Sequence, residues 1–151
     1  MIRNVREEDA SALQMICAEA LGHIADAEMM KQQIASLAQD EHYFIRVCED
    51  PRTGRVTGFI EAEKYSLLYG GNGWNVIALA VSEDSQRKGI GRQLLSALEA
   101  HAVSEGDSFI RLNCNISGQM LMNSTRILDT GTIRHRNDSS DICKNTDQNH
   151  K

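Results

Sequence analysis

Proline is nearly absent from this chain: Pro51 is the sole example in 151 residues, and aromatic residues make up only 5 %. Residues 119–151 contain no Phe and no Tyr. Long apolar runs are missing too. No stretch reaches 18 residues, and Met1-Ile2-Arg3-Asn4-Val5-Arg6 carries no apolar signal segment, so a cytoplasmic protein is expected. A basic excess is lacking, since 16 Lys and Arg face 21 Asp and Glu, for a formal charge of -5 and a pI near 5.5. Such a surface argues against nucleic acid or an anionic membrane as partner. Cysteines with metal-ligand spacing are also missing. Cys17, Cys48, Cys114 and Cys143 are scattered, and the first three fall in expected helix or strand positions, where small core residues in a reducing compartment are the simplest reading. No metal is expected. What remains, 41 % hydrophobic and 25 % charged, fits one small domain with one ordinary core.

The segment from Asn75 to Cys114 is the most informative. Val76-Ile77-Ala78-Leu79-Ala80-Val81 is short, uncharged and bounded by Asn75 and Ser82, which reads as a buried strand. Gln86-Arg87-Lys88-Gly89-Ile90-Gly91 follows. Its two glycines leave the backbone open to phosphate oxygens, and the helix after it aims unpaired N–H groups and a positive dipole end at the same place. Arg87, Lys88 and Arg92 add positive charge. From Ile90 the apolar positions Leu94, Leu95, Leu98 and Ala102 form one helix face, which Gly106 can terminate. Ser108 to Cys114 returns as a strand. A dinucleotide-binding fingerprint would need a third glycine where Leu94 stands, and a nucleotide P-loop needs Gly-Lys-Ser/Thr where Gly91-Arg92-Gln93 stands. Both readings fail; an ordinary surface turn remains the plain alternative.

This order of parts resembles motif A of the GNAT superfamily, the Gcn5-related N-acetyltransferases, whose Gln/Arg-x-x-Gly-x-Gly/Ala turn binds the pyrophosphate of acetyl-coenzyme A. The matching residues are Gln86, Gly89 and Gly91, with Leu79-Ala80-Val81 in the place of the family's Leu/Ile-Ala-Val strand. The resemblance implies an α/β fold of the acyl-CoA N-acyltransferase type, with a mixed, mostly antiparallel sheet flanked by helices. It implies acetyl-CoA as cosubstrate, with Leu79, Ala80 and Val81 along the acetyl and pantetheine arm and Gln86, Arg87, Lys88, Gly89, Ile90, Gly91 and Arg92 around the pyrophosphate.

The upstream residues agree with that order. Ile2 to Val5 reads as a strand, and Glu7-Glu8-Asp9 opens a helix with Leu13, Ile16, Cys17, Ala20, Leu21 and Ile24 at spacings of three and four. A second helix runs from about Asp26 to Ala38, where Met29 and Met30 could line a substrate channel or fill the core. His42 to Glu49 and Arg55 to Tyr65 form a hairpin around the Asp50-Pro51-Arg52-Thr53-Gly54 turn. Tyr69-Gly70-Gly71-Asn72-Gly73 reads as a movable connection or a plain hairpin.

Residues 1–118 are thus expected to form the acetyltransferase domain, and 119–151 an aberrant tail, disordered from about Asn137, with the closing helix and strand missing or altered. The family continues after the fifth strand with motif B, a helix of the pattern Ala-x-x-Phe-Tyr-x-x-x-Gly-Phe/Tyr whose Tyr commonly serves as general acid. Back-translated one nucleotide out of register, the stretch beginning at Gln119 is compatible with Asn-Ala-His-Glu-Phe-Tyr-x-x-x-Gly-Tyr, so a frameshift near Gln119 is the preferred explanation. Loss of that helix and strand would leave the monomer marginal unless the tail repacks or a second copy covers the exposed strand edge and core.

Function divides accordingly. The chain is an N-acetyltransferase acting on a primary amine by direct attack, a truncated relative that binds coenzyme A with little catalysis, or a non-enzymatic dimerising module. Glu61 and Glu63 alternate onto one strand face and are candidate bases, directly or through water, with a solvated strand face as the alternative. His42 and His101 are weaker candidates, His101 being expected to border solvent. Tyr65 and Tyr69 are phenols away from the family's acid position. The acceptor is not legible.

Overall fold

The computed structural model describes residues 1–112 and the backbone of 124–127. In chain order it contains β1 (Ile2–Asn4), α1 (Ala10–Leu21), α2 (Ala27–Leu37), β2 (Tyr43–Glu49), β3 (Val56–Leu67), β4 (Gly71–Val81), α3 (Ile90–Ser104), β5 (Phe109–Leu112) and β6 (Ser124–Ile127). The six strands form one sheet in the order of the sequence. All neighbours are antiparallel except β4 and β5, which run parallel because α3 carries the chain back between them. The expected mixed, mostly antiparallel sheet flanked by helices is therefore present.

The helices divide the core between two faces. Under α1 and α2, Leu13, Ile16 and Ile34 meet Val47, Phe59 and Ala80 of the sheet. Beneath α3, Leu94, Leu98 and Ala102 meet Phe44, Ile60 and Trp74. Strand alternation sets this split, with Ile45 and Val47 on one face and Phe44 and Cys48 on the other. Local signals fix the helix ends. The Asp26 carboxylate accepts the Glu28 amide at 2.9 Å to cap α2, and α1 stops at Gly22. At the hairpin turn the Asp50 side chain accepts the Arg52 amide at 2.9 Å, as its residue types require.

Three features differ from the sequence reading, and one, the Asp107 cluster, is additional to it. First, β4 begins at Gly71, so the connection from β3 is only Leu68, Tyr69 and Gly70. Gly73, read as part of a movable connection or a plain hairpin, lies inside the strand, where a Cβ would clash with the Phe109 carbonyl oxygen. Second, His101 does not simply border solvent. Its ring sits 4.9 Å from that of Phe44 and 5.3 Å from that of Trp74, and burial pushes its pKa down, with Arg46 and Lys64 acting in the same sense. Third, Asp107 is 3 % exposed and accepts from the Trp74 indole at 2.8 Å and from Lys64 Nζ at 2.7 and 2.9 Å. That charge-assisted cluster fastens the start of β5 to β3 and β4. Fourth, Ser124–Ile127 pair antiparallel with β5, so these four residues form a strand inside the span expected to be an aberrant tail. The edge for which a second copy was considered carries that strand. The frameshifted helix and the disorder expected from Asn137 lie outside the described residues.

Candidate active site

Register irregularity in β4 creates the site. Glu61 of β3 opposes Ala78, whereas Ala62 opposes Val76, so Ile77 is an extra residue on β4, a β-bulge. Pairing with β5 runs from Gly73 opposite Phe109 to Val76 opposite Leu112 and, among the described residues, stops there. Beyond the bulge, β4 keeps β3 on one edge and, among the described residues, pairs with no strand on the other. Leu79, Ala80 and Val81 occupy this stretch.

A cleft of about 860 Å³ opens along that edge. Leu79, Ala80 and Val81 form one wall, Gln86 and Arg87 the turn, and Gly89, Ile90, Gly91 and Arg92 the first turn of α3. Glu19, Ala20 and Leu21 of α1 close the far side. Gly89 caps the helix at φ +77°, a conformation that side chains rarely adopt, and a Cβ there would meet nothing within 4 Å. At Gly91 the nearest atom to an added Cβ is Val81 Cγ2, at 3.9 Å. The glycines therefore keep empty the space in front of the helix N-terminus. Among the described residues neither Arg87 nor Arg92 forms an ion pair. Lys88 is placed differently: it does not line the cleft, and its ammonium donates to the Asp84 carbonyl at 2.9 Å. Asp84 in turn accepts from Ser82, Ser85 and Arg55, which orders the start of the loop. Gln86 Nε2 donates to the Val81 carbonyl at 3.4 Å, tying the turn to the strand end.

A second cavity of about 540 Å³ lies between α1, α2 and the sheet. Leu21 lines both spaces, and along β4 the lining passes from Ile77 and Ala78 in the cavity to Leu79, Ala80 and Val81 in the cleft. Met29 and Met30 both line this cavity; Met29 is 50 % exposed, while Met30 also packs against the core under α1 and α2, so core filling describes Met30 and cavity lining Met29. Among the described residues Glu61 is the one carboxylate that lines it. Burial pushes the Glu61 pKa up, and the nearby Glu63 carboxylate pushes the same way. Glu63 shares that strand face, half-buried rather than fully solvated, and accepts from Asn75 Nδ2 at 2.9 Å. Cys17 also lines the cavity, but burial and then the Glu61 charge raise its pKa and hold the thiol protonated.

The remaining candidates stand apart. Tyr65 accepts from Arg111 Nη1 at 3.3 Å and Tyr69 projects from the β3–β4 turn; neither lines the cleft or the cavity. His42 and His101 line neither. Among the described residues no group of three or more His, Cys, Asp or Glu is arranged to hold a metal ion, and no helix is long and apolar enough to cross a membrane. Residues missed by sequence reading include Ile77, whose bulge has no glycine to announce it, and Glu19, which reaches the cleft from another element.

The fold recurs in solved structures. A transcriptional regulator from Bacillus halodurans C-125 superposes with a TM-score of 0.68 at 18 % identity, over 78 % of this chain and 83 % of that one. A GNAT family acetyltransferase from Staphylococcus aureus subsp. aureus USA300_TCH1516 gives 0.67 at 17 % identity, over 85 % and 96 %. A ribosomal-protein-alanine N-acetyltransferase from Brucella melitensis biovar Abortus 2308 gives 0.62 at 19 % identity, over 78 % and 83 %. Identities this low show a shared fold only. Comparison with curated protein sequences gives no significant match. The sequence model of the Acetyltransferase (GNAT) family matches residues 6–120, which takes in both helices over the cavity, the bulged strand and the Gln86–Gly91 turn, and the chain belongs to that family.

Proposed function

We propose that this chain transfers an acetyl group from acetyl-CoA to a primary amine held in the cavity beside Glu61. The observation that carries the reading is the adjacency of cleft and cavity beside the β4 bulge, where Leu21 lines both and the half-buried Glu61 carboxylate lies on the cavity side. Backbone amides at the α3 N-terminus, together with Arg87 and Arg92, would hold the pyrophosphate, and the free edge of Leu79, Ala80 and Val81 the pantetheine arm. When bound, acetyl-CoA supplies a thioester whose acyl carbon gains a bond to nitrogen as its bond to sulfur breaks. The acceptor arrives as an ammonium and must lose a proton before attack. Glu61, directly or through one water, takes it; the raised pKa brings this carboxylate nearer to the operating pH and makes it a better base than an exposed one. Glu63 acts on Glu61 by charge.

A second reading, that the chain binds coenzyme A with little turnover, is favoured by one feature. No phenol lines the cleft among the described residues, residues 119–151 contain no Tyr, and the family match stops at residue 120, next to the inferred frameshift. Without a proton donor for the departing thiolate, turnover would fall by about 10²–10⁴-fold. Calorimetry with acetyl-CoA and coenzyme A, paired with thiol release in the presence of amines, separates the readings. Binding with thiol release supports the transferase, binding without release supports the second reading, and no binding refutes both.

A further inference from the structure

The acceptor cavity carries information on what the amine is attached to. Its walls are Leu13, Met29, Met30, Phe59 and Ile77, and the polar groups that reach it are Glu61, His23, Gln33 and the protonated Cys17 thiol. A polyamine or aminoglycoside brings several ammonium groups, and each one moved out of water needs its own acceptor. Among the described residues Glu61 is the one carboxylate lining the cavity, so against these walls a second ammonium would sit beside methionine and isoleucine side chains. Hydroxyl-rich amines meet the same difficulty, since a mostly apolar wall leaves their donors unpaired. A hydrocarbon group suits the walls, and about 540 Å³ lies within the usual size range of small-ligand sites, roughly 300–1,000 Å³.

Resting on the acetyl-transfer reading, we propose that the acceptor is a small monoamine whose single amino group is carried on an apolar alkyl or aryl body, the nitrogen beside Glu61 and the body against Met29, Met30 and Ile77. Each methylene buried there contributes about 0.8 kcal/mol, which is roughly a fourfold gain in affinity.

The test measures amine binding by calorimetry, with coenzyme A bound and then without it, for 2-phenylethylamine, n-hexylamine, ethylamine, spermidine, kanamycin and an alanyl peptide. Expected is affinity rising with apolar size, with 2-phenylethylamine and n-hexylamine at least tenfold tighter than ethylamine, spermidine or kanamycin. Met29→Glu, at a half-exposed helix position where folding is preserved, should weaken 2-phenylethylamine at least fivefold and narrow its lead over spermidine. Equal or tighter binding of spermidine, kanamycin or the peptide overturns the inference, as does failure of every amine to bind while coenzyme A still does. Failure of coenzyme A itself to bind overturns the transferase reading instead. Thiol release scored on the same panel adds the catalytic readout.

Discussion

The cleft and the cavity meet at one strand yet are built on different principles. The cleft is made largely from contiguous chain, Leu79 to Arg92 with one wall from α1, and its binding groups are chiefly backbone amides that any sequence with the right glycines can present. The cavity is assembled from side chains of α1, α2, β2, β3 and β4, and its character depends on each of them. A site of the first kind suits a ligand common to many proteins, while one of the second kind suits a ligand peculiar to this one. Selectivity should therefore respond to substitutions in the cavity, and coenzyme affinity to substitutions in the turn.

Several changes would break or sharpen that contrast. The largest effect is expected from Glu61→Gln, which removes the base but keeps the shape. Its kcat/KM should fall by about 10²–10⁴-fold with coenzyme A affinity unchanged. A loss below threefold would remove Glu61 from the chemistry. In the native chain the folded pKa of Glu61 lies above its unfolded value, so the folded state binds the extra proton and stability declines as pH rises through that window. The glutamine variant should lose this slope in denaturant titrations between acid and neutral pH.

Restoring the reading frame near codon 119 comes next. A Phe-Tyr helix and closing strand would add several kcal/mol of stability, at about 1.5–3 kcal/mol for each large side chain buried. Turnover should rise more than coenzyme affinity, because a proton donor acts chiefly in the transition state. Thermal melts and acetyl transfer on both chains decide this, and a repaired protein no better in either respect would make the tail native.

Gly91→Leu fills the empty space before the α3 N-terminus without displacing protein atoms, so coenzyme A affinity should drop at least tenfold, about 1.4 kcal/mol, at nearly unchanged melting temperature. Retained affinity in calorimetry would remove the turn from the phosphate site. The smallest effect belongs to Glu63→Gln. Removing the neighbouring charge should lower the Glu61 pKa and shift the acid limb of the kcat/KM profile to lower pH, while the plateau rate changes little. A limb that stays in place would show that burial alone sets the titration of Glu61.

Legibility followed the same division. The α/β order of elements and the phosphate turn could be read from Val76 to Cys114 because helix faces, strand runs and glycine spacing are local patterns. The pairing of Glu61 and Glu63 on one face was legible from alternation alone. The start of β4 was not, since Gly71, Asn72 and Gly73 have loop composition and become strand only because Phe109 packs against the missing Gly73 side chain. Nor was His101, whose burial depends on Phe44 and Trp74 from two other strands.

By itself, then, the sequence determined the family, the glycine turn before α3 and which residues share a strand face, because each is fixed by neighbours a few positions apart. Only the tertiary structure decided that Ile77 bulges, that Lys88 turns away to Asp84, that Asp107 holds Lys64 and Trp74, and that Glu61 lines one cavity with the methionines of α2. Those outcomes depend on burial, and burial is set by packing between elements far apart in the chain.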